Sequence, residues 1–488
     1  MQTEILAVLS VLVVLTIDIG VRVAALGIIP NNRKPSEATA WLLAVFFVPL
    51  LGILVFLLLG HSKLSRKRRA KQRAINDAIY KNTLNKVSIA EENAPPSWFM
   101  SIATLNSRLG AMPLVGGNDG KLVQDYKESL RVMAEAIDEA KDYVHVEFYI
   151  MSLDKTTKQF FDSLKSAQKR GVTVRVLFDH VGSLQYPDYK ATLAFLEKHS
   201  IAYKLMLPVM PLKGKFQRPD LRNHRKLLVV DGKQGFMGSQ NIIDSSYNKK
   251  KNIKRGLHWF ELMVNVQGPV VYELDAVFAG DWYAETDELL ETHIDSVGTI
   301  NKDVGNYDCQ VVPSGPGFEE ENNLKLFTSL IYAAQQKVII TSPYFVPDES
   351  MLTAITTAAQ RGVRVELFVS EIGDQLLVYH AQRSYYEALL RAGVHIYMYS
   401  SPTVLHAKHF TVDDAVSVIG SSNMDMRSFN LNMEISLLVY SEEFTSSMRE
   451  VEAGYKANSK ELGLDVWLKR PLRHKFIDNV ARLTSSLQ

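Results

Sequence analysis

The sequence predicts an α/β fold built twice: two duplicated domains, each a mixed sheet flanked by helices, behind a pair of transmembrane helices. Three observations carry this. The run from Ala38 to Gly60 holds no charged residue. Beyond residue 110, short apolar strand-like stretches alternate with helical ones, the mark of an α/β fold. Two stretches of that region also repeat each other nearly two hundred residues apart. A chain of 488 residues at roughly 150 per domain holds about three units. With 47% apolar and 22% charged residues it has material for sizeable cores.

The first unit is expected to be a membrane hairpin over residues 1–62, with helices at about 5–28 and 39–60. At 1.5 Å per residue, Ala38 to Gly60 reaches across a hydrocarbon core of about 30 Å. Pro49 in its middle is tolerable where neighbouring helices re-satisfy the freed carbonyl. The segment 5–29 is interrupted by Asp18 and Arg22, four residues apart and so on one helix face, where they pair and lower the cost of insertion. Glu4 without any Lys or Arg before it argues against a cleaved signal peptide. Residues 63–73 then carry seven Lys and Arg, against Arg33 and Lys34 between the helices. The positive-inside bias therefore places residues 61–488 in the cytoplasm, in a multi-pass protein. The same cluster, with His61 beside it, is expected against anionic lipid headgroups. Residues 63–109, through Pro95-Pro96, read as a basic cytoplasmic linker.

The body is net acidic once that cluster is set aside, although the whole chain is formally +2. This argues against nucleic acid as a partner, whose binders carry basic surface on the folded domain. The lone Cys309 excludes a disulfide framework and a Cys-based zinc site, and fits a reducing compartment.

The duplication defines two domains, 110–300 and 301–488. Residues 140–176 run from Ala140 through Val144-His145-Val146 and Asp154 to Arg170-Gly171-Val172-Thr173-Val174. Residues 334–367 run from Ala334 through Val338-Ile339-Ile340 and Asp348 to Arg361-Gly362-Val363-Arg364-Val365. Each is strand, loop, amphipathic helix, glycine turn, strand. The period is too long for a solenoid. His145 and His395, in apolar strand-like stretches, read as core or edge residues.

A chemical motif recurs within this repeat. His224, Lys226, Asp231, Gly238, Ser239 and Asn241 have the same spacing as His406, Lys408, Asp413, Gly420, Ser421 and Asn423. A lone His-x-Lys is ordinarily a partly buried imidazole beside a surface lysine; identical spacing twice argues against that. Residues 224–231 read as a strand, so His224 and Lys226 share a face while Asp231, seven residues on, falls on the other. A structural role suits that aspartate better than acid–base work. Asp231-Gly232 forms a hairpin turn that returns Gly238-Ser239-Gln240-Asn241 beside the His/Lys face. Each half thus offers an imidazole, an ammonium, a hydroxyl and an amide, a donor set for a phosphate. Zinc-protease, paired-cysteine and P-loop motifs are absent, and no proper metal-ligand cluster is seen. Gly315-Pro316-Gly317 lacks the third glycine of a dinucleotide loop, and Glu319-Glu320-Glu321 beside it would repel phosphate.

The duplicated motif resembles that of the phospholipase D superfamily over most of residues 110–488, and within it the bacterial cardiolipin synthases. The further matches are Pro35-Ser36, Ala40-Trp41-Leu42-Leu43, Leu57-Leu58-Leu59-Gly60, Asn223-His224-Arg225-Lys226, Phe278 with Asp281-Trp282, Ser314-Gly315-Pro316 and Ser342-Pro343-Tyr344-Phe345-Val346-Pro347-Asp348. The resemblance implies two phospholipase D-like halves about a pseudo-twofold axis with one active site at their seam. It counts His224, Lys226, Asp231, His406, Lys408 and Asp413 in the catalytic motif. Glu261 and Glu434 match the acidic residue that supports the histidine, although the family's first-half position is commonly Asp. Ser239, Asn241, Ser421 and Asn423 would support the site or hold phosphate. One histidine, His224 by analogy, attacks a phospholipid phosphodiester to give a phosphatidyl-histidine, and His406 protonates the departing glycerol. The expected reaction joins two phosphatidylglycerol molecules into cardiolipin and glycerol. One phosphodiester replaces another, so no cofactor, ATP or metal is required. The same residues would serve a hydrolase, or a transferase using another alcohol or donor; a nuclease fits the acidic body less well, and a non-catalytic scaffold predicts damaged motifs where both are whole.

Overall fold

A computed structural model describes residues 2–31, 33–60, 63–83, 89, 95–210, 215–291 and 304–485. His61 lies outside them. The chain falls into two compact units, Met1–Lys63 and Leu64–Gln488.

In the first unit, α1 (Gln2–Ile28) is the long apolar helix expected. Its Asp18 and Arg22 pair at 2.8 Å. The second expected helix is not continuous. It divides into α2 (Pro35–Phe47) and α3 (Pro49–Leu59), because Val48 leaves helical backbone at φ −137° and ψ 73°. Pro49 is the cause: its ring disfavours the helical conformation for the residue before it, and it has no N–H to continue the ladder. Among the described residues, only the helix around Glu4–Ile28 is long and apolar enough to cross a membrane.

The second unit is built on one large mixed sheet. At its centre Val115–Val123 lies antiparallel to Tyr307–Ser314. From this seam the sheet grows outward in the same order in both halves. One arm runs through Met263–Gln267, Gln234–Gly238, Lys226–Val230, Tyr143–Phe148, Thr173–Asp179 and Ala202–Met206. The other runs through Asn432–Tyr440, Val416–Gly420, His409–Val412, Lys337–Thr341, Arg364–Ser370 and His395–Tyr399, with Ser459–Glu461 added at its edge. The repeat seen in the sequence is the parallel part of each arm: Tyr143–Phe148 with Thr173–Asp179, and Lys337–Thr341 with Arg364–Ser370. Gly171 and Gly362 close the corresponding turns at φ +90° and +93°, where a Cβ would be strained.

The halves share a core. Leu227, Val229, Met237 and Leu262 of the first pack in one apolar cluster with Ala407, Ile419, Ile435 and Leu437 of the second. His145 is a core residue, bonded to Asp275 at 2.7 Å and stacked on Phe278. His395 lies at a sheet edge beside Glu461.

The stretch expected to be a basic linker belongs instead to this second unit and is largely helical. Its α4 (Arg66–Thr83) packs on the helix Val270–Thr286, and α5 (Ser97–Gly110) packs on the strand Tyr307–Ser314. Arg68 pairs with Glu285 at 2.7 Å, Lys71 with Asp287 at 2.5 Å, and both Arg69 and Arg73 with Glu319. Much of the cluster's charge is therefore answered within the protein; Lys67, with 80% of its side chain exposed, makes only a loose pair with Asp287 at 4.0 Å.

Candidate active site

The two histidines are brought to the seam by strand pairing between halves. Arg222-Asn223 pairs in parallel with Asn432-Met433, so the next residues, His224 and Glu434, stand opposite each other. His258–Phe260 pairs in parallel with Thr403–Leu405, which sets Glu261 opposite His406. The backbone N–H of His224 donates to the Met433 carbonyl at 2.8 Å, and that of His406 to Phe260 at 2.7 Å.

The supports therefore cross. His224 Nδ1 lies 2.9 and 3.0 Å from the carboxylate oxygens of Glu434, and His406 Nδ1 lies 2.7 Å from Glu261 Oε1. Each glutamate follows the motif of its own half but serves the histidine of the other. An imidazole held through Nδ1–H by a carboxylate has a fixed tautomer, with its Nε2 lone pair left for chemistry. Glu261, where the family pattern commonly has Asp, reaches its histidine without difficulty.

The glycine and serine of each motif hold the glutamates. A Cβ at Gly238 would stand 2.3 Å from the Leu262 carbonyl oxygen, and one at Gly420 would stand 2.2 Å from that of Ile435. That approach lets Ser239 Oγ accept the Leu262 N–H at 2.9 Å, and Ser421 Oγ accept the Ile435 N–H at 3.0 Å. The residue after each glutamate is thus clamped. The serine hydroxyls point into the protein rather than toward a phosphate, and Ser421 also donates to Glu434. Asn241 is likewise engaged: its Oδ1 accepts the Ile150 N–H, and its Nδ2 donates to the Tyr247 hydroxyl. Asn423 leaves its buried Oδ1 without a protein partner.

Lys226 and Lys408 each fold back to donate to the carbonyl of the histidine two residues earlier, at 2.5 Å. Lys408 Nζ also lies 3.2 Å from His406 Nε2. Both lysines are almost wholly buried. Burial pushes Lys226 down to about 7 and Lys408 down to about 8, against the pull of Glu434 and Glu261; the charge of Lys408 lowers Lys226 further. Burial also lowers both histidines to about 4, opposed by their glutamates and reinforced by the lysines of both halves. Burial alone would raise the glutamates, but the neighbouring histidine and lysine outweigh it and hold both carboxyls below their ordinary value. The site thus contains two carboxylates, two neutral imidazoles and two reluctant ammoniums. Carboxylates and ammoniums balance, and the low proton affinity of both lysines means that a bound anion would favour their charged form.

Asp231 and Asp413 are not in this cluster. Asp231 accepts the backbone N–H groups of Lys141, Asp142 and Tyr143, each at 2.8 Å. Asp413 does the same for Gln335, Gln336 and Lys337. At about 3.3 Å per residue, each lies roughly 23 Å of strand away from its histidine. Their place in the shared spacing is explained by fastening the far end of the His/Lys strand to its neighbour, on the face that period two assigns them.

Other residues at the site escaped the motif. Tyr149 and Tyr344 stand edge-on to His224 and His406, with ring centroids 5.0 and 6.0 Å away. They occupy matching places in the duplication, a few residues before Asp154 and Asp348, and aligning the repeat would have found them. Tyr247 donates to Glu261 at 3.2 Å, and Ser428 to Glu434 at 2.9 Å. Buried Arg225 pairs with Asp281 and donates to the backbone carbonyl of Glu434 at 3.1 Å, tying both halves together behind the histidine.

Comparison with known proteins identifies the family. The family model "Cardiolipin synthase, PLD-like domain" matches residues 133–282 and 327–452, and the model "Phospholipase_D-nuclease N-terminal" matches residues 5–61. The chain is 32% identical over 464 residues to a cardiolipin synthase of Alkalihalophilus pseudofirmus, covering 94% of this chain and 90% of that one. It is 32% identical over 467 residues to cardiolipin synthase A of Yersinia pseudotuberculosis, covering 95% of each. A crystal structure of phosphatidylserine synthase from Haemophilus influenzae shares the fold at a TM-score of 0.60 and 14% identity, covering 81% of this chain and all of that one.

Proposed function

The chain belongs to the cardiolipin synthase family of the phospholipase D superfamily, and from that membership we propose that it transfers a phosphatidyl group from one phosphatidylglycerol to another. The observation that carries the reading is the crossed pair of His–Glu contacts flanked by two buried lysines. An anionic phosphodiester between the two lysines would stabilise their ammonium forms against the cost of burial.

In this mechanism His224 Nε2 attacks the phosphorus of the first phosphatidylglycerol. The bond to the glycerol oxygen breaks, and that oxygen takes a proton from His406, leaving phosphatidyl-His224 and free glycerol. His406, now neutral, takes the proton of a hydroxyl on the second phosphatidylglycerol. That oxygen attacks phosphorus, cardiolipin forms, and His224 is released. Lys226 and Lys408 hold the non-bridging oxygens as charge builds. The bound phosphodiester favours the ammonium form of both lysines and the imidazolium form of His406, which Glu261 stabilises. Every proton and charge in this cycle is handled by side chains, without a cofactor. A bacterial membrane location suits lipid substrates, and the basic residues of 63–73 favour the cytoplasmic side for the catalytic unit.

The test is lipid mass spectrometry after incubating the detergent-purified full chain with phosphatidylglycerol alone. Cardiolipin and glycerol formed one for one, and lost in His224→Ala, are the expected result. Phosphatidic acid as the main product would make the protein a hydrolase; no product would mean another donor lipid.

A further inference from the structure

The α2–α3 segment does not continue through its break at Val48; it doubles back. The rings of Trp41 and Phe56 meet edge to face at 5.4 Å. Gly52 approaches α2 so closely that a Cβ there would stand 2.5 Å from the Ala44 carbonyl oxygen. At the open end, the Arg33 guanidinium donates to the Ile29 carbonyl at 2.6 Å and to the Gly60 carbonyl at 2.8 Å, and lies over the Phe56 ring at 4.7 Å. The start of α2 and the end of α3 are thus neighbours. In a hairpin of two full crossings, Arg33 would stand on one side and Gly60 on the other side of a hydrocarbon core of about 30 Å.

Length agrees. The 13 residues of α2 and the 11 of α3 make rods of about 20 and 16 Å, each well short of that thickness. The tip is nonetheless made for hydrocarbon. Phe47 and Leu50 are 81% and 88% exposed, and Leu51, Leu54 and Leu57 point outward behind them. Backbone polar groups exposed to lipid are costly, and this turn pairs some of its own. The Val48 N–H donates to Ala44, its carbonyl accepts from Gly52, and Pro49 has no N–H to leave unpaired.

We propose that α2–α3 is a re-entrant hairpin inserted into the hydrocarbon of a single leaflet, and that α1 makes the one full crossing among the described helices. The chain then leaves the membrane at Gly60 on the face where it entered at Pro35. Charge supports this arrangement. Two crossings would put Arg33 and Lys34 on the face opposite the cluster at 63–73; the re-entrant path collects all of these cations on one face and leaves the end carrying Glu4 on the other. The occupied leaflet is the cytoplasmic one, and the N-terminus is external. The inference does not depend on the reaction proposed above.

Single cysteines test it in the full chain, whose only native cysteine, Cys309, is buried. Right-side-out membrane vesicles carrying Thr3→Cys, Ser36→Cys or Ser65→Cys are treated with a membrane-impermeant maleimide before and after opening. Labelling of Thr3→Cys in sealed vesicles, with Ser36→Cys and Ser65→Cys labelled only after opening, is expected. Ser36→Cys labelled in sealed vesicles with Thr3→Cys protected would overturn the proposal in favour of two crossings. A spin-label pair at Lys34→Cys and Lys63→Cys in reconstituted protein gives an independent reading. A separation below about 25 Å supports the hairpin, and one beyond about 30 Å overturns it. A nitroxide at Leu50→Cys should be relaxed by lipid-soluble oxygen; shielding there would place a second copy of the chain, rather than lipid, against the tip.

Discussion

The two halves of the candidate active site carry the same motif and are wired unequally. On one side Glu434 receives His224, Ser421, Ser428 and, at 3.4 Å, Asn432. On the other, Glu261 receives His406 and Tyr247 through Oε1, and its Oε2 has no hydrogen-bond partner. His224 is also the more accessible imidazole, its side chain 12% exposed against 7% for His406. A fixed carboxylate suits a ring that must hold one position through two displacements at phosphorus. A less committed one suits a ring whose proton leaves and returns. Duplication made the halves alike, but the proposed reaction would assign them different work.

The largest effect should come from the histidines themselves. Replacing either by Ala is expected to lower turnover by at least about 10⁴-fold, and an acid-quenched reaction should carry the covalent phosphatidyl group on His224. Finding it on His406 would exchange the roles and the argument about wiring with them.

Next come the lysines. Lys226→Met and Lys408→Met should each lose about 10²–10³-fold in kcat, the scale of one donor to a developing oxyanion. Because burial disfavours both ammoniums, the Lys226→Met chain should also melt higher than the parent in calorimetry. A lower Tm would mean that the lysine supports the fold.

The glutamates test the inequality directly. Glu434→Gln removes acceptors from several buried donors and should cost about 2–4 kcal/mol in denaturant unfolding, against about 1–2 for Glu261→Gln. Equal losses would show that the extra bonds around Glu434 carry no net stability.

Acidity acts on both halves together. Each imidazole titrates near 4 in the fold against about 6.5 when unfolded. Between those values the unfolded chain binds more protons, so stability is full above about pH 6.5, declines as pH falls, and reaches its floor below about 4. Melting curves across that range should show the decline, and His406→Ala should flatten it.

The smallest effect on chemistry should follow Asp231→Asn and Asp413→Asn. Each weakens a cap on three backbone N–H groups and should cost about 1–3 kcal/mol of stability while leaving kcat within about twofold. A catalytic loss in the folded variant would return these aspartates to the reaction.

Much of this site is legible in the chain, because local geometry is periodic. Alternation along residues 224–231 puts His224 with Lys226 and turns Asp231 away. Asp231-Gly232 takes positive φ at both positions, 51° and 63°, the hairpin turn its composition implies. Other features depend on partners remote in sequence. The acids that answer Arg68, Lys71 and Arg73 lie over two hundred residues on, so the basic stretch reads as a free strip until the fold supplies Glu285, Asp287 and Glu319. Hydropathy measures how long an apolar run is, not which way it travels, so the reversal at Val48-Pro49 is invisible to it.

The chain alone determined the family, the duplication and the chemical inventory, because residue identity and spacing survive without any knowledge of what packs against them. Tertiary structure decided which glutamate serves which histidine. Glu261 and Glu434 each follow the motif of their own half, and nothing in that order says which histidine either one serves. Only the parallel pairing of Asn432-Met433 with Arg222-Asn223, and of His258–Phe260 with Thr403–Leu405, carries each across the seam. Strand pairing between halves is a non-local contact, and no periodicity within either half encodes its partner.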